Sequence, residues 1–190
     1  MDAGAWDARY AEFGRVWSVE PNQFVAAELA ELPAGRAVDL AAGEGRNAIW
    51  LASRGWDVTA IDFSSVAIDR ARAVSDDVAW VVGDTLTVPL PGQLDLALIS
   101  YLQLPHDEME TVVRRAYDAL APGGTFFLIC HDASNIAEGV GGPQQAEVLV
   151  DAGDVTGWLG PGARVVRADR VERHVEAGTA YDVLVRAVRA

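Results

Sequence analysis

Val38-Asp39-Leu40-Ala41-Ala42-Gly43-Glu44-Gly45-Arg46-Asn47-Ala48, followed by Val58-Thr59-Ala60-Ile61-Asp62, is the stretch that decides the fold. It reads as a buried strand, a glycine turn, an amphipathic helix and a second strand ending in a carboxylate, which is the first βαβ unit of a nucleotide-binding doubly wound sheet. Gly43 and Gly45 carry no Cβ, so the chain can turn sharply and a ligand can lie against bare backbone. Asp62 lies 19 positions after Gly43, at a strand's carboxyl end, where its two oxygens can accept both hydroxyls of a ribose. The fragment alone does not separate a nicotinamide dinucleotide from S-adenosylmethionine.

Outward from this unit, strands and helices alternate. A helix is expected from Asn22 to about Ala30, stopping at Pro33. Strands follow at 36–41, 57–61, 78–82, 94–100 and 125–130, with helices at 46–54, 64–73 (capped by Ser64 or Ser65) and 106–120 between them. Five near-continuous apolar strands separated by helices imply a parallel sheet covered on both faces. The end differs: 165–174 and 181–185, joined through Glu176-Ala177-Gly178-Thr179, read as a hairpin, so the sheet finishes with one antiparallel strand.

At 190 residues and 51% hydrophobic, the chain is expected to form one domain with a substantial core. No apolar run approaches the roughly 20 residues needed to span a bilayer, and the amino terminus has no signal-like core, so a cytoplasmic protein is expected. With 15 basic against 28 acidic residues the net charge is −13, and no basic run exceeds Arg114-Arg115, which argues against nucleic acid and for neutral or cationic small molecules. All the basic residues are arginines. Without lysine, a Walker phosphate loop and Schiff-base chemistry are excluded. Cys130 is the only cysteine, and the three histidines show no metal-ligand spacing, so no metal is expected.

The chain resembles the class I S-adenosylmethionine-dependent methyltransferases. The resemblance covers roughly 36–130 plus the terminal hairpin. The family's acid-x-Gly-x-Gly-x-Gly motif matches Asp39, Ala41, Gly43 and Gly45. Ala41 replaces the first glycine, which suggests that the backbone there need not adopt a positive φ. The ribose-binding acid matches Asp62, the adenine-side acid matches Asp84, and Leu120-Ala121-Pro122-Gly123-Gly124-Thr125 is similar to the turn before the fifth strand. The resemblance implies a seven-stranded, Rossmann-like, mostly parallel sheet. Gly45-Arg46-Asn47 and the aromatic start, Trp6 to Tyr10, look like the tellurite-resistance and thiopurine-type small-molecule enzymes.

On this reading residues 1–20 form an aromatic lid, 36–130 the cofactor core, 131–145 a substrate loop and 163–189 the hairpin. S-adenosylmethionine would be held by Asp39, Ala41, Gly43, Gly45, Arg46, Asn47, Asp62, Phe63, Asp84, Thr85 and Ser100, with Tyr10 and Trp17 from the lid, leaving as S-adenosylhomocysteine. Asp39 alternatively braces the glycine loop. Tyr101 and His131 would position the acceptor, a small molecule such as a thiol or other soft nucleophile, with Asp132 beside His131 as a second base. His106 reads as a solvated helix-start residue, and His174 faces either pocket or water. A nicotinamide-dependent oxidoreductase and a non-catalytic adenosylmethionine-binding module are the rivals. Monomer and homodimer are both open.

Overall fold

In the computed structural model, residues 3–12 and 19–190 are described. The elements run α1 (Ala3–Glu12), α2 (Gln23–Leu29), β1 (Arg36–Leu40), α3 (Arg46–Ser53), β2 (Asp57–Asp62), α4 (Ser65–Arg72), β3 (Val78–Val82), β4 (Leu94–Ser100) and α5 (His106–Asp118). After these come β5 (Leu120–His131), α6 (Asn135–Glu138), a 3-10 turn (Ala146–Val148), α7 (Ala152–Leu159), β6 (Ala163–Val175) and β7 (Gly178–Arg189).

The strands form one seven-stranded sheet in the order β3-β2-β1-β4-β5-β7-β6. Pairs β1–β2, β1–β4, β2–β3 and β4–β5 are parallel, and β7 runs antiparallel to both β5 and β6. This is the expected mixed sheet with a terminal hairpin. Its strands are longer than their apolar runs: the turn shrinks to Glu176 and Ala177, and the register His174↔Thr179 and Val175↔Gly178 absorbs the rest of the expected connection.

The apolar runs serve both faces. Along β5, Phe126 packs with the α5 and α7 side chains Met109, Val112, Val155 and Leu159, while Phe127 packs on the other face with Val25, Leu29, Ala48 and Leu51 of α2 and α3. Both phenylalanines are wholly buried, each contributing about 1.5–3 kcal/mol. The amino-terminal aromatic segment forms α1, which docks on α4: Ser64 Oγ donates to Asp7 Oδ1 at 2.5 Å, and the same hydroxyl caps α4 by accepting from the Ala67 amide. Helix α7 was not anticipated, although Asp151 and Asp154 form a reciprocal capping box at its start.

Candidate active site

The strand order reverses between β1 and β4, where loops leave neighbouring parallel strands on opposite faces and open a crevice at their carboxyl ends. The glycine loop after β1 forms one wall, and residues 100–103 after β4 form the other. Ala42 donates to Ile61 O at 3.0 Å, Gly45 to Ala42 O at 2.9 Å, and Gly43 to Asp62 Oδ2 at 2.7 Å, so β2 fixes the shape of the loop. Gly45 is required twice: its φ is +78°, and a Cβ there would overlap the Trp80 ring of β3. Ala41 corrects the sequence reading. It sits at φ +59°, in the left-handed region, despite having a Cβ, a strain of about 1–2 kcal/mol.

Asp62 is buried at the cavity edge, accepting from the Gly43 and Ser64 amides, one per oxygen. Burial raises its pKa, the two amides oppose the rise, and Asp7 adds to it. Further lone pairs on both oxygens leave capacity for a ligand's hydroxyls. Phe63, Trp6 and Tyr10 supply aromatic surface, and Arg46 a cation.

Of the residues expected to hold cofactor, Tyr10, Ala41, Gly43, Gly45, Arg46, Asn47, Asp62, Phe63 and Ser100 line this cavity; Trp17 lies outside the described residues. Asp39, Asp84 and Thr85 do not line it. Asp84 is exposed and its Oδ1 accepts from the Leu86 amide, so it organises its own turn, and the Thr85 carbonyl accepts from Arg115. Asp39 is wholly buried behind the loop, and neither oxygen meets full hydrogen-bond geometry with a donor, although the Ala48 amide still favours its charged form. Burial first, then the Asp62 charge, push its pKa up to about 7, against partial opposition from Arg46 and the Ala48 amide.

A second cavity, about 530 Å³, adjoins the first and shares Arg46, Tyr101 and Gln103 with it. Its floor is a polar network set by strand register. His131 at the end of β5 pairs with Asp182 near the start of β7. Tyr101 Oη donates to Asp182 Oδ2 at 2.7 Å and accepts from Asn22 Nδ2 at 3.3 Å, while Arg173 Nε of β6 donates to the same carboxylate at 2.7 Å. His131 Nδ1 lies 3.3 Å from Asp182 Oδ1, and its ring centroid is 5.0 Å from that of Tyr101. Burial pushes the Asp182 pKa up, but His131, Arg173 and Tyr101 outweigh it and hold the carboxyl below its usual range. The Tyr101 phenol is pushed up, mainly by burial and then by Asp182, so it stays protonated.

Asp132 corrects the second expectation of a base. Its Oδ1 accepts from the Ser134 amide and hydroxyl, at 2.9 and 2.6 Å, and it lies outside both cavity linings. His106 begins α5 as expected, with Nε2 2.7 Å from Leu149 O, and His174 faces solvent. The 131–145 segment lines the second cavity through His131 and through Val140 to Pro143. Asn135 clamps it by accepting from the Tyr181 amide and donating to Gly141 O. Asn22, Arg173 and Asp182 were not anticipated. Asp182 did leave a signal, a lone carboxylate heading the apolar run Val183-Leu184-Val185. Among the described residues no group of histidine, cysteine and carboxylate side chains could hold a metal ion, and no helix is long and apolar enough to cross a membrane.

A doubly wound sheet closed by an antiparallel hairpin, with a glycine loop and a buried acid lining a cavity at the point where the strand order reverses, has the architecture of a nucleotide-binding α/β domain. Comparison with known proteins narrows it. The family model described as "Methyltransferase domain" matches residues 37–124, so this stretch of the chain is similar to methyltransferase domains.

Trans-aconitate 2-methyltransferase of Rhizobium meliloti (strain 1021) is 33% identical over 126 residues, 64% of this chain and 48% of its own. The tRNA 5-carboxymethoxyuridine methyltransferase of Escherichia coli (strain K12) is 29% identical over 113 residues, 53% of this chain and 42% of its own. TehB from Haemophilus influenzae superposes with TM-score 0.77 at 12% identity, over 97% of this chain and 66% of that one, a likeness of fold. The chain spans about half the length, or less, of the curated relatives it matches.

Proposed function

We propose that this chain transfers the methyl group of S-adenosylmethionine to a small-molecule acceptor. The observation that carries the reading is the pair of adjoining cavities, one built for an adenosyl ligand and the other separated from it only by Arg46, Tyr101 and Gln103. The residues fit the cofactor: Asp62 suits ribose hydroxyls, the Phe63, Trp6 and Tyr10 rings suit a flat base, and Arg46 suits an amino-acid carboxylate. When bound, S-adenosylmethionine supplies a methyl group already activated on a sulfonium.

The protein's contribution is alignment, which can be worth ~7–11 kcal/mol. A soft nucleophile such as a thiolate needs no strong base, in keeping with a cavity whose Tyr101 stays protonated and whose His131 is held against Asp182. His131 then orients the acceptor or takes its proton. The relative that acts on trans-aconitate supports a small acceptor, and the acidic surface, at −13, disfavours an RNA. A cytoplasmic location belongs to the same proposal.

In this reading α1 is a lid. The cavity it covers is about 80 Å³, against roughly 300–1,000 Å³ for small-molecule pockets. The Trp6 and Tyr10 rings must therefore move outward to admit a cofactor, and the Asp7–Ser64 hydrogen bond holds the lid in place.

Calorimetry against S-adenosylhomocysteine and against oxidised and reduced nicotinamide dinucleotides tests the cofactor. Binding near micromolar with no dinucleotide signal is expected. Dinucleotide binding alone would sink the proposal. Labelled-methyl transfer to a thiol panel then separates enzyme from binding module.

A further inference from the structure

We infer that the acceptor is a small carboxylic acid whose carboxylate is held by Arg9 and Arg173 in the second cavity. The inference rests on the small-molecule reading and adds its chemical class. In a chain of net charge −13, three arginines line this cavity, Arg9 from α1, Arg46 from α3 and Arg173 from β6, and no carboxylate lines it among the described residues. The one acid in contact, Asp182, lies beneath the lining and is wholly buried. It is shared between Arg173, through Nε at 2.7 Å and Nη2 at 3.4 Å, and His131. One buried anion against three lining arginines leaves the cavity positive.

The Arg9 guanidinium lies 5.4 Å from the Trp6 ring centroid on the same helix, and that of Arg173 lies 5.5 Å from the Tyr101 ring centroid, so each cation rests by an aromatic face. Arg46 faces both cavities and is left for the cofactor's own carboxylate. Val140, Pro143, Val175 and Ala177 give the same lining apolar surface for the acceptor's body, and the His131 ring lines it too. An acid with a short apolar body fills both halves. A neutral acceptor gains no charge-assisted contact from the lining arginines, and a cationic one is repelled by them. This reverses the preference for neutral or cationic molecules drawn from total charge: the negative charge lies on the surface, and the cavity has the opposite sign.

The test uses two matched pairs, 3-mercaptopropionate with 3-mercaptopropionamide and 4-hydroxybenzoate with 4-hydroxybenzamide. Binding to the full chain is measured by calorimetry with and without saturating S-adenosylhomocysteine, so that the charge preference is read whether or not the cofactor product binds. Each acid is expected to bind about tenfold or more tightly than its amide. In Arg9→Gln the ratio should fall by about threefold or more, while Arg9→Lys keeps most of it and S-adenosylhomocysteine affinity is unchanged in both. Equal binding of acid and amide, an undiminished ratio in Arg9→Gln, or no binding of either acid up to about 10 mM overturns the assignment. Failure of the underlying reading looks different: S-adenosylhomocysteine does not bind, or label enters a tRNA transcript and neither small acid.

Discussion

Asp39→Asn isolates the electrostatic cost built into the floor of the glycine loop. Asp39 is wholly buried, neither oxygen meets full hydrogen-bond geometry with a donor, and its pKa stands at about 7 against 3.8 for the free side chain. Because the folded value is raised, the native state binds more protons than the unfolded state between those two values. The group's contribution is therefore fully present below about pH 4 and is lost as pH rises through about 7. At about 1.4 kcal/mol per unit, the loss comes to about 4 kcal/mol.

The amide is nearly isosteric and does not ionise. Whatever it costs to bury its NH2 group is the same at every pH, so the pH dependence of the difference reports Asp39 together with its coupling to Asp62. The stability of Asp39→Asn relative to the parent should rise by about 2–4 kcal/mol between about pH 5 and about pH 8. Urea denaturation read by tryptophan fluorescence measures it. Parallel stability profiles for the two proteins would refute the reasoning.

Asp62→Ala should weaken S-adenosylhomocysteine binding by about tenfold or more, through lost charge-assisted bonds, and cost about 1–3 kcal/mol of stability because two amides lose their acceptor; unchanged affinity by calorimetry would remove the ribose role. Asp7→Ala deletes the acceptor of the Ser64 hydroxyl and should speed S-adenosylhomocysteine release several-fold in stopped flow, with stability changed by less than about 1 kcal/mol. Ala41→Gly relieves the left-handed backbone at +59° and should raise stability by up to about 1 kcal/mol by chemical denaturation; a loss would mean that the methyl group packs better than the strain costs.

The parallel half of the sheet is legible because burial on both faces forces near-continuous apolar runs, and the glycines and Ser64 punctuate them. The β2 carboxylate was legible for the same reason, since Asp62 ends an apolar strand. Ala41 shows where such reading stops. A side chain in a glycine position suggests an ordinary φ, but three hydrogen bonds to β2 and within the loop over-determine the turn and hold alanine in the left-handed region anyway. Asp84 reads as a ligand acid by position, and in the structure its Oδ1 also closes its own turn by accepting from the Leu86 amide. The Asp182 network was hidden for a different reason. Its members come from 22, 101, 131, 173 and 182, and only the hairpin register, with His131 opposite Asp182, brings them together.

That register also bears on Tyr101, one of the three residues that the two cavities share. Like Ala41, Tyr101 is a non-glycine residue in the left-handed region, at φ +55°, and the two directly follow β1 and β4, the neighbouring strands at which the sheet reverses order. Each holds a conformation that costs about 1–2 kcal/mol and that its neighbours must compensate. For Tyr101 the compensation is visible: its amide donates to Ile129 O at 2.8 Å, and its hydroxyl donates to a carboxylate that two basic side chains also need. Continuing straight along β4 would carry the ring past the crevice. The strained turn aims it into the shared wall instead, where its hydroxyl also accepts from Asn22, the N-cap of α2. The strain at β4 thus positions a group common to cofactor and acceptor, and Asp182 offsets its cost.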